Sequence, residues 1–231
     1  MHLSKLLLAA CVLASGCATP QNPDPLGTLN RKTFALNEGL DRLALKPLAL
    51  AYRSHVPVPV RTGVSNVLSN LRDPWSGMNL ILQGRIKEGM SDFGRFGANT
   101  TAGLLGVMDV ATGWGMPGHG ESFHGTLRTW GVGGGAYLVL PLLGPADLRG
   151  LAALPVDSMG TVQSQIDNSG ISAALMTTQM LDKRTSLLEV TRLIDDLALD
   201  KYVFVRDAYL QRRAAKKSDA DEISSTQLES R

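Results

Sequence analysis

The sequence predicts a mostly α-helical fold: one multi-helix domain with a glycine-rich centre and room for one short β-hairpin. Three observations carry this reading. Apolar residues recur at the helical period through the first hundred residues and again near the C-terminus. Fifteen of the 24 glycines lie between Gly97 and Gly160. From Asn99 to Gln165 only six residues are Asp, Glu, Lys or Arg. A stretch so rich in glycine and poor in charge reads as loops and tight helix contacts rather than solvated helices.

The elements follow in order. Asn30 to Leu50 reads as a helix with Phe34, Leu40, Leu43 and Ala44 on one side, ending near Lys46-Pro47 because proline breaks the helical ladder. Val56-Pro57-Val58-Pro59 reads as extended, each proline pushing its predecessor out of the helical region. A second helix starts around Pro59, carries Val60, Val64, Val67, Leu68 and Leu71 at the 3.6 period, and is interrupted by Asp73-Pro74. A third covers about Trp75 to Leu82. A fourth runs from Arg85 to about Asn99, with Ile86, Met90, Phe93 and Phe96 on one face and Arg85, Lys87, Glu88, Asp92 and Arg95 on the other.

In the centre, Tyr137 to Leu140 is the best strand candidate, closed by Pro141. Helices return from about Ile171, and Leu187, Val190, Leu193, Ile194 and Leu197 make one apolar stripe. The segment Leu138 to Leu154, LVLPLLGPADLRGLAAL, is strongly apolar yet broken by prolines and glycines. It reads either as a buried core loop or as a segment among lipid acyl chains, whose backbone groups the fold must then satisfy. Composition leaves both open. No internal repeat or second domain is visible, and residues 214–231 read as a disordered polar tail of mixed charge.

The N-terminus is a targeting signal. Met1 to Lys5 gives a basic n-region, Leu6 to Ala14 an apolar run, and Ser15-Gly16 the small residues of a cleavage site. Cys17 follows, and small-small-Cys after an apolar run is the lipobox pattern of bacterial lipoproteins. Residues 1–16 are therefore expected to be removed and Cys17 acylated, with 17–24 as a short tether. Cys11 is the rival: Leu8-Ala9-Ala10-Cys11 fits the box better but leaves an apolar run of only about five residues, short of the roughly 7–15 expected. A mature chain with one modified cysteine has no disulfide framework. Ala18 stands where an inner-membrane retention signal places Asp, which favours the outer membrane, and two or three acyl chains give stable attachment.

Other chemistry is weighed and set aside. A formal net charge of +2 points to no nucleic acid or other polyanion, and no apolar run after the signal reaches the 18 residues of a spanning helix. Gly120-Glu121-Ser122-Phe123-His124 begins like a nucleophile elbow but has His where the second Gly belongs. His119, Glu121 and His124 lack the spacing of a zinc helix. Gly131-x-Gly133-x-x-Ala136 formally fits a dinucleotide fingerprint but has no helix after it; Gly133, Gly134 and Gly135 are read instead as a candidate hinge. No catalytic residue, cofactor or metal is assigned.

Taken together, many blocks resemble one family. They include Asp24-Pro25-Leu26, Asn30-Arg31, Phe34, Asn37, Tyr52-Arg53, Val56-Pro57, Pro59-Val60-Arg61 and Gly63-Val64-Ser65-Asn66, then Asn79-Leu-Ile-Leu-Gln83-Gly84. The most specific are central: Arg95-Phe96, Asn99-Thr100, Gly103, Gly106, Asp109-Val110-Ala111, Gly125-Thr126-Leu127, Trp130-Gly131-Val132-Gly133, Gly135, Tyr137, Leu140-Pro141 and Gly144-Pro145. Asp182, Arg184, Asp200, Tyr202, Arg206, Tyr209 and Arg212 follow. In this order, from Asp24 to about Arg213, they are similar to the MlaA/VacJ lipoproteins of Gram-negative bacteria, with the helical domain itself at 25–213. Ala136, Gly150 and Lys201 depart from the pattern.

The resemblance implies a ring-like helical domain embedded in the periplasmic leaflet beside a trimeric porin. Its amphipathic channel would take phospholipids that have strayed into the outer leaflet and pass them to a soluble periplasmic carrier, keeping the outer membrane asymmetric. Arg95, Asn99, Asp109 and Arg149, polar residues in apolar surroundings, are the candidate channel lining; capping helices or pairing with one another is the alternative. A second function class, a lipoprotein that supports a porin or another envelope protein without moving lipid, fits the sequence physics equally.

Overall fold

Proline and glycine positions set most of the helix ends. The computed structural model describes residue 22 and residues 24–229, with side chains at 22, 24–161 and 164–216. The signal segment, Cys11, Cys17 and nearly all of the tether lie outside the described residues. The first helix, α1 (Gly27–Leu40), runs through a π-helical stretch, Asp41–Leu45, directly into α2 (Lys46–His55). Proline was expected to end this helix near Lys46-Pro47. Instead Pro47 falls in the first turn of α2, just past the π stretch, where the missing N–H costs no regular i→i−4 bond.

Pro59 and Pro74 likewise sit at the starts of α3 (Val58–Asn70) and α4 (Asp73–Leu82), the position where proline is tolerated. Next come α5 (Ile86–Thr101), the short α6 (Val110–Gly113) and α7 (Phe123–Thr129). Strand β1 (Tyr137–Leu140) pairs antiparallel with β2 (Gly144–Asp147), Tyr137 opposite Asp147 and Leu140 opposite Gly144. The strand falls where the sequence placed it. Then follow α8 (Leu148–Gly160), a 3-10 turn (Val162–Gln165), α9 (Ser169–Ser186), α10 (Leu188–Leu197) and α11 (Lys201–Glu229). The fold is mostly α with one two-stranded sheet. Along the polar stretch read as a disordered tail from 214, the backbone stays helical to Glu229; its alanines, lysines and acids are compatible with a solvated helix.

Among the described residues the chain gathers into two compact units. One comprises the described parts of Met1–Gly39, Val132–Ala152 and Ile194–Arg231; the other comprises Leu40–Gly131 and Ala153–Leu193. No linker or composition shift marks this division in the sequence. In the first unit, Tyr137, Val139 and Tyr202 form the core, with Phe34, Val203, Tyr209 and Leu210 packed against it. Two amides on α1 hold the hairpin. Asn30 donates to the Tyr137 carbonyl at 3.0 Å and accepts from the Val139 N–H at 2.9 Å. Asn37, two turns on, donates to the Leu140 carbonyl at 2.9 Å and accepts from the Leu142 N–H at 2.8 Å. These bonds satisfy main-chain groups that a two-stranded ladder leaves over.

In the second unit, α4 and α5 cross almost backbone to backbone. A Cβ at Gly77 would meet the Gly89 carbonyl at 2.9 Å, and one at Gly89 would meet the Gly77 carbonyl at 2.8 Å. What these helices bury is unusual. Among the described residues ten buried side chains are hydrophobic and eleven are polar or charged, whereas Asp, Asn and Arg are ordinarily among the most exposed types. Conversely, Ile86 and Met90 on α5, Met78 and Leu82 on α4, and Leu104, Leu105, Val107 and Met108 in the following loop are all exposed. On α5 it is Asp92, Arg95 and Asn99 that turn inward, while Lys87 stays exposed. No described helix is long and apolar enough to cross a membrane.

The apolar segment Leu138 to Leu154 becomes the hairpin and the first half of α8. Val139 and Ala153 in it are buried, whereas Leu142, Leu143, Leu151 and Leu154 are exposed. It is therefore not a buried core loop.

Candidate functional site

The inward faces of α4 and α5 make a polar seam in the second unit. On α4, Asp73, Ser76 and Asn79 recur every three residues and are buried; on α5, Asp92, Arg95 and Asn99 recur at three and four. Such spacing places each set on one helix face.

Arg95 is the hub. Its Nε donates to Asp73 at 3.2 Å, its Nη1 to the Thr112 hydroxyl and the Met116 carbonyl, each at 2.7 Å, and its Nη2 lies 3.2 Å from Asp109. Asn99 donates to Asp109 at 3.1 Å and accepts from the Val110 and Ala111 N–H groups at 2.9 and 3.0 Å. Asp109 itself caps α6, accepting from the Thr112 N–H at 3.1 Å and from its hydroxyl at 2.6 Å. Burial works against the Asp109 carboxylate, but bonds from Thr112, Asn99 and Arg95 outweigh it and bring its pKa down to about 2. At Asp73 burial prevails over the attraction of Arg95, and its pKa rises to about 6.

Beside this hub, the buried Asp92 accepts from the Ser76 hydroxyl at 2.5 Å and is bonded to His119 Nδ1 at 2.6 Å. Ser76 in turn accepts from the Glu121 N–H at 2.8 Å. Further along, the Thr126 hydroxyl donates to Asn79 at 2.8 Å. Trp75 Nε1 and the Phe123 N–H both donate to Asp157 of α8, at 2.8 and 2.7 Å, and the Trp75 ring covers Gly160 so closely that a Cβ there would lie 2.2 Å away. His119, Glu121 and His124, singled out in the sequence, do not converge. No His, Cys, Asp or Glu group among the described residues has the arrangement of a metal site.

Of the four candidate lining residues, Arg95, Asn99 and Asp109 thus share one network, bonded to one another and to the start of α6. Arg149 belongs to the first unit. Its Nη1 donates to the Val132 carbonyl at 2.9 Å and its Nη2 lies 3.7 Å from the buried Asp147. Asp147 also accepts from the Gly150 N–H at 2.7 Å and faces Arg213 at 3.6 Å. This cluster accounts for the close packing of the glycine run. A Cβ on Gly134 would meet Asp147 at 2.7 Å and Arg213 at 2.9 Å. Gly135 has φ +67° and its Cβ would meet Leu148 at 3.0 Å, whereas Gly133 has open space around it. The candidate hinge is therefore one free glycine followed by two packed ones.

Sequence reasoning missed Asp73, Ser76, Asn79, Asp147 and Thr126. The signal available was the polar stripe of Asp73, Ser76 and Asn79 beside that of Asp92, Arg95 and Asn99, which ordinary amphipathic reading assigns to solvent. An open groove of about 550 Å³ in the first unit, lined by Leu197, Leu199, Val203, Phe204 and acidic neighbours, includes none of the singled-out site residues.

The fold and seam define a class: a helical protein with a hydrogen-bonded polar seam in its interior and many large apolar side chains exposed. The MlaA lipoprotein family model matches residues 22–216. The intermembrane phospholipid transport system lipoprotein MlaA of Escherichia coli K12 is 35% identical over 217 residues, 92% of this chain and 85% of that protein. The protein of the same name from Haemophilus influenzae is 29% identical, covering 94% of this chain and 91% of its own length. A solved structure described as the structural basis for maintenance of bacterial outer membrane lipid asymmetry superposes with a TM-score of 0.74 at 35% identity, over 84% of this chain and 98% of that one. The chain belongs to the MlaA lipoprotein family.

Proposed function

We propose that this chain is an outer-membrane lipoprotein that removes phospholipids mislocalised in the outer leaflet and passes them inward, maintaining lipid asymmetry. The observation that carries the reading is the partition of side chains. Arg95, Asp73, Asp92 and Asn99 are buried and paired, while Ile86, Met90, Leu104 and Leu105 are exposed. In water that arrangement forfeits hydrophobic stabilisation at every exposed side chain. Next to acyl chains it does not, provided that polar groups are satisfied internally. The relatives' role in intermembrane phospholipid transport supplies the substrate.

Cys17, acylated after removal of residues 1–16, anchors the chain to the periplasmic face of the outer membrane. A trimeric porin supports it there, and a soluble periplasmic carrier receives the lipid. Of the candidate lining residues, Asp109 has the most accessible side chain, 29% exposed against 5% for Arg95, and presents polar surface to a passing headgroup. Arg95 and Asn99 hold the backbone beside it, at Met116 and at the start of α6.

Deletion of the gene should raise outer-leaflet phospholipid, read by an outer-leaflet-specific phospholipase, and plasmid-borne wild type should restore it. Cys17→Ala should be mislocalised yet still co-purify with lipid. Unchanged leaflet composition together with failed porin assembly would replace transport with the purely supporting role.

A further inference from the structure

One polar group of the second unit is bonded less tightly than the hub on Arg95. At the C-terminal end of α4, Gln83 donates to Glu121 at 3.5 Å and to Thr126 at 3.3 Å, and Arg128 Nη2 of α7 stands 3.9 Å from Glu121 Oε1. Around Arg95 the corresponding distances run from 2.7 to 3.2 Å. A guanidinium carries five donors in a rigid fork, and Arg128 Nε is buried with no acceptor. Nε and Nη2 form the edge of that fork which binds a phosphate or carboxylate bidentately; here Nε has no partner among the described residues and Nη2 reaches Glu121 only at 3.9 Å.

The carboxylate beside it is held in a cradle. Glu121 Oε2 lies where a Cβ on Gly125 would be, only 2.1 Å from that position, so glycine there lets the acid lie across the first turn of α7. The two side chains remain 13% and 15% exposed. The same two segments also carry exposed apolar groups. Trp130, 55% exposed, donates its Nε1–H to the Leu82 carbonyl at 3.1 Å and meets Phe123 edge to face, and Leu82 is itself exposed.

We propose that Glu121 and Arg128 receive the headgroup of a zwitterionic phospholipid, the guanidinium fork taking the phosphate and the carboxylate taking the ammonium. This deepens the transport reading and rests on it. Gln83, held by long bonds, swings aside to admit the headgroup while Glu121 stays in its cradle. A phosphatidylglycerol headgroup offers the same phosphate but no cation, so Glu121 repels it. The pair is a selectivity device for phosphatidylethanolamine-like lipids.

The test uses the purified full-length chain in detergent, offered equimolar phosphatidylethanolamine and phosphatidylglycerol, with bound lipid quantified by mass spectrometry. Wild type should retain several-fold more phosphatidylethanolamine. Glu121→Gln, which keeps shape and hydrogen bonds, should retain as much lipid in total with the ratio near one. Arg128→Gln should lower both lipids by roughly tenfold, the scale of one charge-assisted bond, and Arg128→Lys should recover part of this. Circular dichroism of each variant separates loss of fold from loss of contact. Wild-type ratios in Glu121→Gln and wild-type amounts in a folded Arg128→Gln would overturn the proposal and leave transport standing. A wild-type chain that retains both lipids equally would do the same; one that retains neither would sink the transport reading as well.

Discussion

The first unit and the second solve the same problem in opposite ways. The first buries an aromatic cluster: Tyr137, Tyr202, Tyr209 and Phe34 meet edge on or tilted, with centroids 5.5 to 6.5 Å apart. Asp24 and Arg31 serve that cluster, and Asn30, Asp147 and Arg149 are buried in the same unit. Tyr202 donates its hydroxyl to Asp24, and Arg31 stacks 4.5 Å above the Tyr202 ring. The second unit buries an ion-pair and amide network on Arg95 and leaves isoleucine, methionine and leucine outside. An aromatic core draws its stability from water, so it works wherever water surrounds it. A polar interior beneath an apolar skin draws stability from pairing in a low dielectric, and only an apolar neighbour relieves the skin. Both units leave large apolar side chains outside, Leu142, Leu143 and Leu199 in the first and Ile86, Met90 and Leu105 in the second; what differs is that the second is centred on a charged hub.

The sharpest way to break this comparison is to remove the hub. Arg95→Met leaves Asp73 buried without its counter-charge and frees the Met116 carbonyl, and should cost about 3–5 kcal/mol. A urea titration in detergent reads it directly. A loss below about 1 kcal/mol would show that the network merely fills space. Overpacking comes next. Gly134→Val drives a branched side chain into Asp147 and Arg213 and should cost about 1–3 kcal/mol, while Gly133→Val, with open space around it, should leave the melting temperature unchanged. If Gly133→Val nevertheless impairs lipid transport, Gly133 is the hinge.

A smaller effect distinguishes the two carboxylates that share Arg95. Asp73, raised to about 6, binds a proton more tightly in the folded chain than in the unfolded one. The stability this contributes is full below about pH 4 and lost as pH rises through 6. Asp109, lowered to about 2, behaves oppositely: its contribution is full above about pH 4 and lost as pH falls through 2. Between pH 7 and 4 the urea midpoint should therefore gain a component that Asp73→Asn abolishes. An unchanged profile in that variant would remove Asp73 from the account. The smallest effect is expected at the exposed Arg53–Glu189 pair, where solvent screens the charges and Arg53→Ala should leave the urea midpoint unchanged.

How much of this was legible follows from which forces act locally. Helix positions and the strand Tyr137 to Leu140 depend on period, proline and glycine, and the sequence reading placed α3, α4, α5 and β1 to within a few residues. Lys46-Pro47 misled because a π stretch just before it lets the chain absorb a proline without ending the helix. Orientation was not legible. The alternation of Ile86, Met90, Phe93 with Asp92, Arg95, Asn99 is the same whether water or lipid lies outside, and only the solvent decides which face turns in. Of the proposed lining residues, Arg95, Asn99 and Asp109 came together as their spacing allowed, while Arg149 entered a separate cluster with Asp147 that no local pattern announces. Asn30 and Asn37 read as family markers; their bonds to the hairpin come from residues more than a hundred positions away.

The central claim is that the exposed face of α5 meets hydrocarbon. A nitroxide placed at Met90→Cys in the chain reconstituted into phospholipid vesicles tests it, with a second label at Lys87→Cys for reference. Molecular oxygen should relax the Met90 label in preference to a water-soluble nickel chelate. Stronger relaxation by the chelate at Met90, equal to that of an aqueous site, would contradict it.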